Sequence, residues 1–327
     1  MFNSIDTWFI HLLDQLLDQD IGSQASRDGD VCGEIIGYSA KLSAAGQCTL
    51  LMNDVRNVSA AYAAAEVLWY MGGSGAIAML QEYAPSYRKY ASGEVTYGAY
   101  GPRLFWTVET EAPLLYIARD ILAKDPNSRQ AVVTIWHPED LWAADQVPPH
   151  KDIPCTLTLQ FIARKERLNL VVNMRSNDAW LGFPLDVFAF TCIQRLMACE
   201  LDLKIGDYTH NVGSMHLYSR FKEKAEEAAK YRVWGVDRAL PNTWLLNDSI
   251  ATIQDAVEVE RSLREDKNYD PNIYAKLGDM SRDLVKACAS KTCVSVIDLM
   301  SFKSGAFNAV VNRERRRAKA VSGERAE

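Results

Sequence analysis

Residues 153–186, IPCTLTLQFIARKERLNLVVNMRSNDAWLGFPLD, decide the fold. Two runs rich in β-forming residues flank the charged turn ARKER, which predicts a β-hairpin over residues 155–176. The stretch leads into DVFAFTCIQRLMACEL (186–201), a mostly apolar segment that predicts a helix in the centre of the core. A chain that mixes such a hairpin with helices belongs to the α/β (α+β) class.

Periodicity and turn signals predict the remaining elements. We expect helices at 5–18, 57–71 and 110–125, strands at 33–42 and 130–136 (the second buried), strand or loop at 211–221, and loop over the glycine- and tyrosine-rich residues 72–103. After about residue 245 the pattern is helical again. We therefore expect a main domain at 1–245 and a helical extension at 246–327 with a basic tail.

Composition and charge exclude several classes of protein. The chain has 327 residues, of which 48% are hydrophobic and 24% charged, as in ordinary globular proteins. No apolar run approaches the roughly 18 residues of a membrane span, and the N-terminal stretch carries acids and no basic start, unlike a signal peptide. These features predict a cytoplasmic protein. A net charge of −6 argues against binding nucleic acid in bulk.

Two smaller features bear on partners and metals. The run NRERRRAK (312–319) holds five basic residues, which predicts a solvated tail, with a phosphate or RNA contact as the alternative. The seven cysteines are odd in number and form no CxxC motif, which indicates free thiols in a reducing compartment. No His/Cys cluster has zinc spacing, so we expect no metal site.

Four segments, in this order, carry a resemblance to a known family: AAAEVLWYM (63–71), IPCTLTLQF (153–161), MRSNDAWLGFPLD (174–186) and GSMHLYSRF (213–221). Together they resemble the thymidylate synthase family, and specifically its pyrimidine hydroxymethylase branch, in which VVNMRSND and NVGSMHLYSR look closest to a deoxycytidylate hydroxymethylase. The resemblance implies a three-layer sandwich around a curved mixed β-sheet, an obligate homodimer, and 5,10-methylenetetrahydrofolate as co-substrate.

The resemblance also implies a nucleophile and an acid–base group. Cys155 would attack C6 of the pyrimidine as a thiolate and so make C5 nucleophilic. Glu66, in an E-x-L-W pattern, would organise water and shuttle protons. Without the resemblance, Cys155 reads as a buried small hydrophobe and Glu66 as a glutamate on a helix surface.

The nucleotide contacts implied by the resemblance are mainly to phosphate. Arg175 would hold the phosphate and polarise the cysteine, Ser176 would add a contact, and Arg27 would bind from the N-terminal region. Arg129 would reach the phosphate across the dimer interface. The family usually has a second arginine after it, where this chain has Gln130, and this departure puts the strength of phosphate binding in question.

Sugar and folate contacts complete the implied site. His216 and Tyr218 match the pair that binds the sugar 3′-hydroxyl, and their spacing places both side chains on one strand face. The resemblance places Asp178 and Trp69 with the folate, gives Gly182 a close backbone approach, and makes Tyr100 an active-site tyrosine, with Tyr97 as an alternative register.

Asp186 is expected to decide the base. The family reads uracil with an asparagine here, whereas an ionised carboxylate only accepts hydrogen bonds, so it suits the N4 amino group of cytosine and repels O4 of uracil. A protonated carboxyl could instead donate to cytosine N3. The alternative is that Asp186 merely caps the following helix. We expect a cytidylate 5-hydroxymethylase and leave CMP and dCMP open, although Ser176 is the residue found in the deoxycytidylate branch.

Three rival functions remain, and two further departures bear on them. The rivals are a thymidylate synthase or uridylate hydroxymethylase, a non-catalytic nucleotide- or RNA-binding relative, and an unrelated cysteine hydrolase. Thr156 replaces the family's histidine after the cysteine, which resembles the hydroxymethylases. The ending SGERAE differs from the hydrophobic tail with which thymidylate synthases close their site, and this agrees with a site that admits water.

Overall fold

A computed structural model of the chain describes all residues except 20, 22–23, 27–28, 44–48, 92, 106–112, 148–149, 151, 232–243, 267, 293–301 and 323–327. Its strands are β1 (Val31–Leu42), β2 (Val132–Thr134), β3 (Thr156–Arg164), β4 (Arg167–Asp178) and β5 (Lys204–Tyr218). Its helices are α1 (Ile5–Leu17), α2 (Ala60–Met71), α3 (Ala78–Tyr83), α4 (Tyr100–Phe105), α5 (Leu114–Lys124), α6 (Pro138–Asp145), α7 (Phe183–Glu200), α8 (Lys222–Lys230), α9 (Ile250–Asp266), α10 (Pro271–Lys276), α11 (Asp279–Thr292) and α12 (Gly305–Ser322).

The five strands form one mixed, open sheet in the order β1-β5-β4-β3-β2. The predicted hairpin is β3 and β4, joined by a turn in which Lys165 and Glu166 adopt positive φ. β4 and β5 run parallel because the long helix α7 connects them, and the other pairs are antiparallel. The register shifts once in three of the four strand pairs, and such irregularities bend strands, which accounts for a curved sheet.

The helices pack in layers on one side of the sheet. α7 lies on β4 and β5, α2 packs against α7, and α9 and α11 pack against α2. α7 is buried along most of its length, as its apolar sequence predicts. Burying one of its phenylalanine side chains stabilises the fold by roughly 1.5–3 kcal/mol. The predicted α/β sandwich around a curved mixed sheet is confirmed.

The other side of the sheet carries small and polar side chains. Ser39, Asn211, Asn173 and Thr158, on four successive strands, form a chain of hydrogen bonds: Ser39 donates to Asn211 at 2.7 Å, Asn211 to Asn173 at 3.0 Å and Asn173 to Thr158 at 2.9 Å. This polar ladder lies on the face opposite to α7, because the alternate residues Val172 and Met174 of β4 are buried.

Three expectations from the sequence were wrong. Residues 72–103 are not only loop, because they contain α3 and the start of α4. The strand expected to be buried is β2, a short edge strand whose outer residues Val132 and Thr134 are exposed. The expectation of a solvated tail at 312–319 was wrong for part of the run: the run belongs to α12, and Arg316 and Arg317 are exposed, but Arg313 is 8% exposed because it binds the chain before α2.

No helix within the described ranges is long and apolar enough to cross a membrane.

Candidate active site

Cys155 immediately precedes β3 and lies on a cleft with largely aromatic walls. The lining comes from the end of α2, from the segment before α4 and from the segment before β3, and includes Trp69, Tyr70, Tyr87, Tyr100, Asp152 and Pro154. The Cys155 side chain is half-buried, so the thiol is accessible from the cleft. The structure thus brings Cys155, Tyr100 and Trp69, three of the residues expected from the sequence, to one place.

Tyr100 is fixed against the strand that follows the cysteine. The Thr156 backbone N–H donates to the Tyr100 hydroxyl at 3.2 Å, and the Tyr100 ring lies 5.2 Å from that of Tyr70. Burial, together with the neighbouring Cys155 and Asp186, raises the pKa of Tyr100, so its hydroxyl is protonated at neutral pH. Tyr97 makes different contacts, against Arg103 and His150, so the structure favours Tyr100 as the site tyrosine.

Glu66 faces inward from the middle of α2. It is 8% exposed, and the Tyr62 hydroxyl one turn earlier donates to its Oε1 at 3.1 Å. Burial, reinforced by the nearby carboxyl of Asp186, raises the pKa of Glu66 to about 8. A glutamate on a helix surface would have neither the burial nor this neighbour, so that alternative does not describe Glu66.

Asp186 lies in the first turn of α7, and its carboxyl is held by a neighbour on β4. The Asn177 Nδ2 donates to its Oδ2 at 2.7 Å. Burial raises the pKa of Asp186 to about 7, against the lowering effect of the Asn177 hydrogen bond. Gly182 leaves room for this carboxyl, because a Cβ there would lie 3.2 Å from Asp186 Oδ2. Glu66, which is buried, and Asp186, which is half-buried, are thus two neighbouring carboxyls with raised pKa values.

The ends of β4 and β5 bring four further residues together. His216 pairs with Asp178 across the two strands, and its Nδ1 lies 3.5 Å from the Ser176 hydroxyl. The ring of Tyr218 lies 4.9 Å from that of His216. Asp178 accepts hydrogen bonds from the backbone N–H groups of the two residues at 180 and 181, at 2.7 and 3.1 Å, and its pKa is raised by burial.

Arg175 supports the segment that presents the cysteine. Its Nε donates to the Pro154 carbonyl at 2.8 Å and its Nη2 to the Ile153 carbonyl at 3.0 Å, while its backbone N–H donates to the Cys155 carbonyl at 2.8 Å. The guanidinium charge therefore lies against the two residues that precede the thiol.

One of the expected arginines is not part of this cluster, and another cannot be compared with it. Arg129 lies exposed in the turn before β2, where its carbonyl accepts from Gln160 at 2.9 Å, and Gln130 beside it is also exposed. Arg27 lies outside the described residues. The described residues contain no group of three or more His, Cys, Asp or Glu side chains that could hold a metal ion.

Several residues of this region were not anticipated. Tyr70 and Tyr87 line the cleft, and Asn177 orients Asp186. Strand alternation gave no signal for Asn177, because strict alternation from Val172 and Met174 would turn it away from the helices, whereas two consecutive partly exposed residues, Arg175 and Ser176, interrupt the pattern and leave Asn177 buried. Arg56, in the chain before α2, donates to the carbonyls of Trp180 and Leu181, the latter at 3.3 Å, and so links that chain to the turn after Asp178.

Comparison with known proteins shows which family the chain belongs to. The family model described as thymidylate synthase matches residues 7–277. A thymidylate synthase of Listeria monocytogenes is 31% identical over 158 residues, which cover 48% of this chain and 46% of that protein. A deoxyuridylate hydroxymethyltransferase of Bacillus phage SP01 is 33% identical over 174 residues, 50% of this chain and 44% of that protein. The alignments thus span less than half of the length of these relatives. The match over most of the chain shows that this protein belongs to the thymidylate synthase family.

Proposed function

We propose that the protein transfers a one-carbon unit to C5 of a cytidine monophosphate, CMP or dCMP, and releases the 5-hydroxymethyl nucleotide. The observation that carries the proposal is the half-buried carboxyl of Asp186, oriented by Asn177 and close to Glu66 beside the Cys155 cleft. In this proposal the protein is a pyrimidine nucleotide hydroxymethyltransferase that needs no metal.

The residues of the cleft fit a flat co-substrate. Its walls carry the rings of Trp69, Tyr70, Tyr87 and Tyr100, and aromatic rings stack well on a planar heterocycle. Asp178, near the turn before α7, offers a half-buried carboxylate to ring N–H groups. When bound there, 5,10-methylenetetrahydrofolate would supply the one-carbon unit, with Asp178, Gly182 and Trp69 holding it.

The chemistry needs a nucleophile, a proton carrier and water. The Cys155 thiolate forms a bond to C6, and the electrons of the C5–C6 double bond make C5 the nucleophile that takes up the one-carbon unit. Removal of the C5 proton, which Glu66 would carry to the departing folate nitrogen, would break the bond between the one-carbon unit and that nitrogen, so that tetrahydrofolate leaves and an exocyclic methylene group stays on C5. Glu66 would also orient a water molecule. That water adds to the exocyclic methylene group, and loss of the thiolate restores the aromatic ring. A group with a pKa of about 8 is suited to accept and return a proton near neutral pH.

The remaining contacts are assigned to the nucleotide. His216 and Tyr218 would bind the sugar 3′-hydroxyl, and Ser176 and Arg175 the phosphate, with Arg27 as a further phosphate ligand. The proximity of Ser176, His216 and Tyr218 at the ends of β4 and β5 supports this assignment.

A second candidate acts on deoxyuridylate. It is favoured by the phage relative, which is described as a deoxyuridylate hydroxymethyltransferase. Asp186 argues against deoxyuridylate as the substrate. An ionised carboxylate beside O4 of uracil would place two hydrogen-bond acceptors against each other, and an unpaired buried polar group costs roughly 1–3 kcal/mol. A pKa of about 7 also allows Asp186 to carry a proton to cytosine N3 in part of the molecules.

We also propose that the active unit is a homodimer in which Arg129 binds the phosphate held by the other subunit. Arg129 is exposed, and the sheet face that carries the polar ladder is not the face packed against α7. A second copy on that face would cover it. In the same proposal, residues 1–245 form the catalytic domain and 246–327 the helical extension, which packs on α2 through α9 and α11.

The test is a parallel assay. Purified protein and 5,10-methylenetetrahydrofolate are mixed with CMP, dCMP, UMP or dUMP, and the products are identified by mass spectrometry. A hydroxymethyl mass gain on CMP or dCMP is the expected result. A methyl gain, or reaction with uracil nucleotides alone, would refute the cytidylate proposal.

A further inference from the structure

The C-terminal helix α12 lies beyond residues 7–277, the part of the chain that the family model matches. Its start is fixed by a carboxylate of α11. Asp283 accepts from the backbone N–H groups of Lys303 at 2.9 Å and Ser304 at 2.8 Å, and also from the Trp244 indole at 2.7 Å. Because backbone donors at a helix start are otherwise unpaired, this contact anchors the first turn of α12.

The first half of α12 packs against α7, the helix that carries Asp186. The Phe307 ring is fully buried and lies 5.9 Å from the ring of Phe188, which follows Asp186 by two residues. Phe307 also contacts Trp244, with ring centroids 5.7 Å apart. Well-packed rings resist displacement, since moving one opens a cavity. The position of α12 is therefore tied to the first turns of α7.

The second half of α12 binds the chain that enters α2, the helix that carries Glu66. One Arg313 nitrogen, Nη1, donates to the Met52 carbonyl and to Asp54 Oδ1, each at 2.7 Å. Arg317 adds a hydrogen bond of 3.0 Å to the Asp54 carbonyl. Arg313 is 8% exposed, so its charge is directed into the protein and is not offered to a polyanion in solvent.

Glu314, beside Arg313, reaches the start of α2 itself. Burial raises the pKa of the Glu314 carboxyl, and the Ser59 hydroxyl and the Ala60 backbone N–H, both at the start of α2, oppose that rise. Ser59 is the N-cap of α2, and a negative charge is favourable at a helix N-terminus. Ala60 and Glu66 are six residues apart on one helix, or about 9 Å along its axis. A helix of this length moves as a rigid unit, so fixing its start fixes Glu66.

We propose that α12 is a brace that joins the two helices bearing Glu66 and Asp186 and sets the separation of their carboxyls. Phe307 holds the α7 end, and Arg313 with Glu314 holds the α2 end. Arg313 and Glu314 are positioning residues, and they act on the proposed reaction through Glu66. The expected effect on catalysis rests on the proposed function. The contacts by which α12 joins α2 and α7 do not depend on which nucleotide is used.

The test compares Arg313→Gln and Glu314→Gln with the matched control Arg316→Gln, an exposed residue of the same basic run. Loss of the brace should lower kcat between ~10-fold and ~100-fold, because small misplacements of reacting groups cost that much. The KM for the nucleotide should stay within about twofold, since its proposed sugar ligands and two of its proposed phosphate ligands, Arg175 and Ser176, lie on β4 and β5. The apparent pKa in the pH profile of kcat should decrease, because a less firmly held α2 admits water to Glu66 and so weakens the effect of burial on its pKa. Arg316→Gln should match the wild type.

Two further experiments distinguish loss of the brace from poor folding of a variant and from failure of the proposed function. Arg313→Lys retains the charge beside Asp54, so it should recover most of the rate if Arg313→Gln folds poorly. Hydrogen exchange of peptides covering residues 60–71 and 183–190 reports the brace without turnover. Faster exchange in both peptides of the Gln variants supports the brace, even if the wild type transfers no one-carbon unit and the proposed function fails. Wild-type exchange, or a wild-type pH profile in an active variant, would overturn it.

Discussion

The Nδ2 atom of Asn177 lies 2.7 Å from Oδ2 of Asp186, so a side chain at the end of β4 orients the carboxyl at the start of α7. The amide donor favours the ionised carboxylate, whereas burial favours the neutral acid. These opposing effects leave the pKa of Asp186 at about 7. Both forms are therefore populated near neutral pH, and both can pair with cytosine.

Glu66 makes stability depend on pH. Its pKa is raised from 4.5 to about 8, so the stabilisation from its protonated form is complete below about pH 4.5 and is lost as the pH rises through 8. Compared with Glu66→Gln, the wild type should lose about 1 kcal/mol of unfolding free energy per pH unit between pH 5 and 8. Urea unfolding at several pH values measures this slope. The exposed Glu139→Gln serves as control, and equal slopes in wild type and Glu66→Gln would contradict the buried state of Glu66.

Cys155→Ala should lower turnover at least about 10³-fold, because Cys155 supplies the only thiol among the described residues that line the cleft. Nucleotide binding measured by calorimetry should persist, since the proposed phosphate and sugar ligands are untouched. Cys199→Ala, at the far end of α7, is the matched control and should remain active. Product formation by Cys155→Ala would remove the nucleophile from the account.

Arg129→Ala and Cys155→Ala should complement each other. If Arg129 acts across the interface, each variant is inactive alone, but a mixed dimer contains one intact site. Random mixing makes half of the dimers mixed, so about a quarter of the wild-type activity should return. Activity is measured after the subunits have exchanged, with the unmixed variants as controls. No recovery in a mixture proven to contain mixed dimers would place Arg129 outside the site.

Strong periodic segments were predictable from the sequence. The hairpin of β3 and β4 was predictable because its two strands flank a charged turn. The helix α7 was predictable because its residues are almost all apolar. The motif residues Cys155, Glu66, Asp178 and Asp186 could be selected through the family resemblance. The burial of Glu66 and its proximity to Asp186 could not be predicted, since they depend on α2 packing against α7.

The missed features depend on contacts between distant residues. α3 and α4 each have six residues, too few to be helical on their own, and are held by packing. Arg103 of α4, for example, forms a buried ion pair with Asp140 of α6 at 2.6 Å. The basic run of α12 resembled a solvated segment because its charges dominate its composition. The partner of Arg313, Asp54, is 259 residues away in the sequence.

The most direct test of the central claim is the base preference of Asp186→Asn. An amide can pair with N3–H and O4 of uracil, and it lacks the carboxylate that accepts from the cytosine amino group. The ratio of kcat/KM for cytidylate over uridylate, with matched sugars, should exceed about 100 in the wild type and fall by at least about 100-fold in the variant. An unchanged ratio would contradict the assignment of Asp186 as the residue that reads the base.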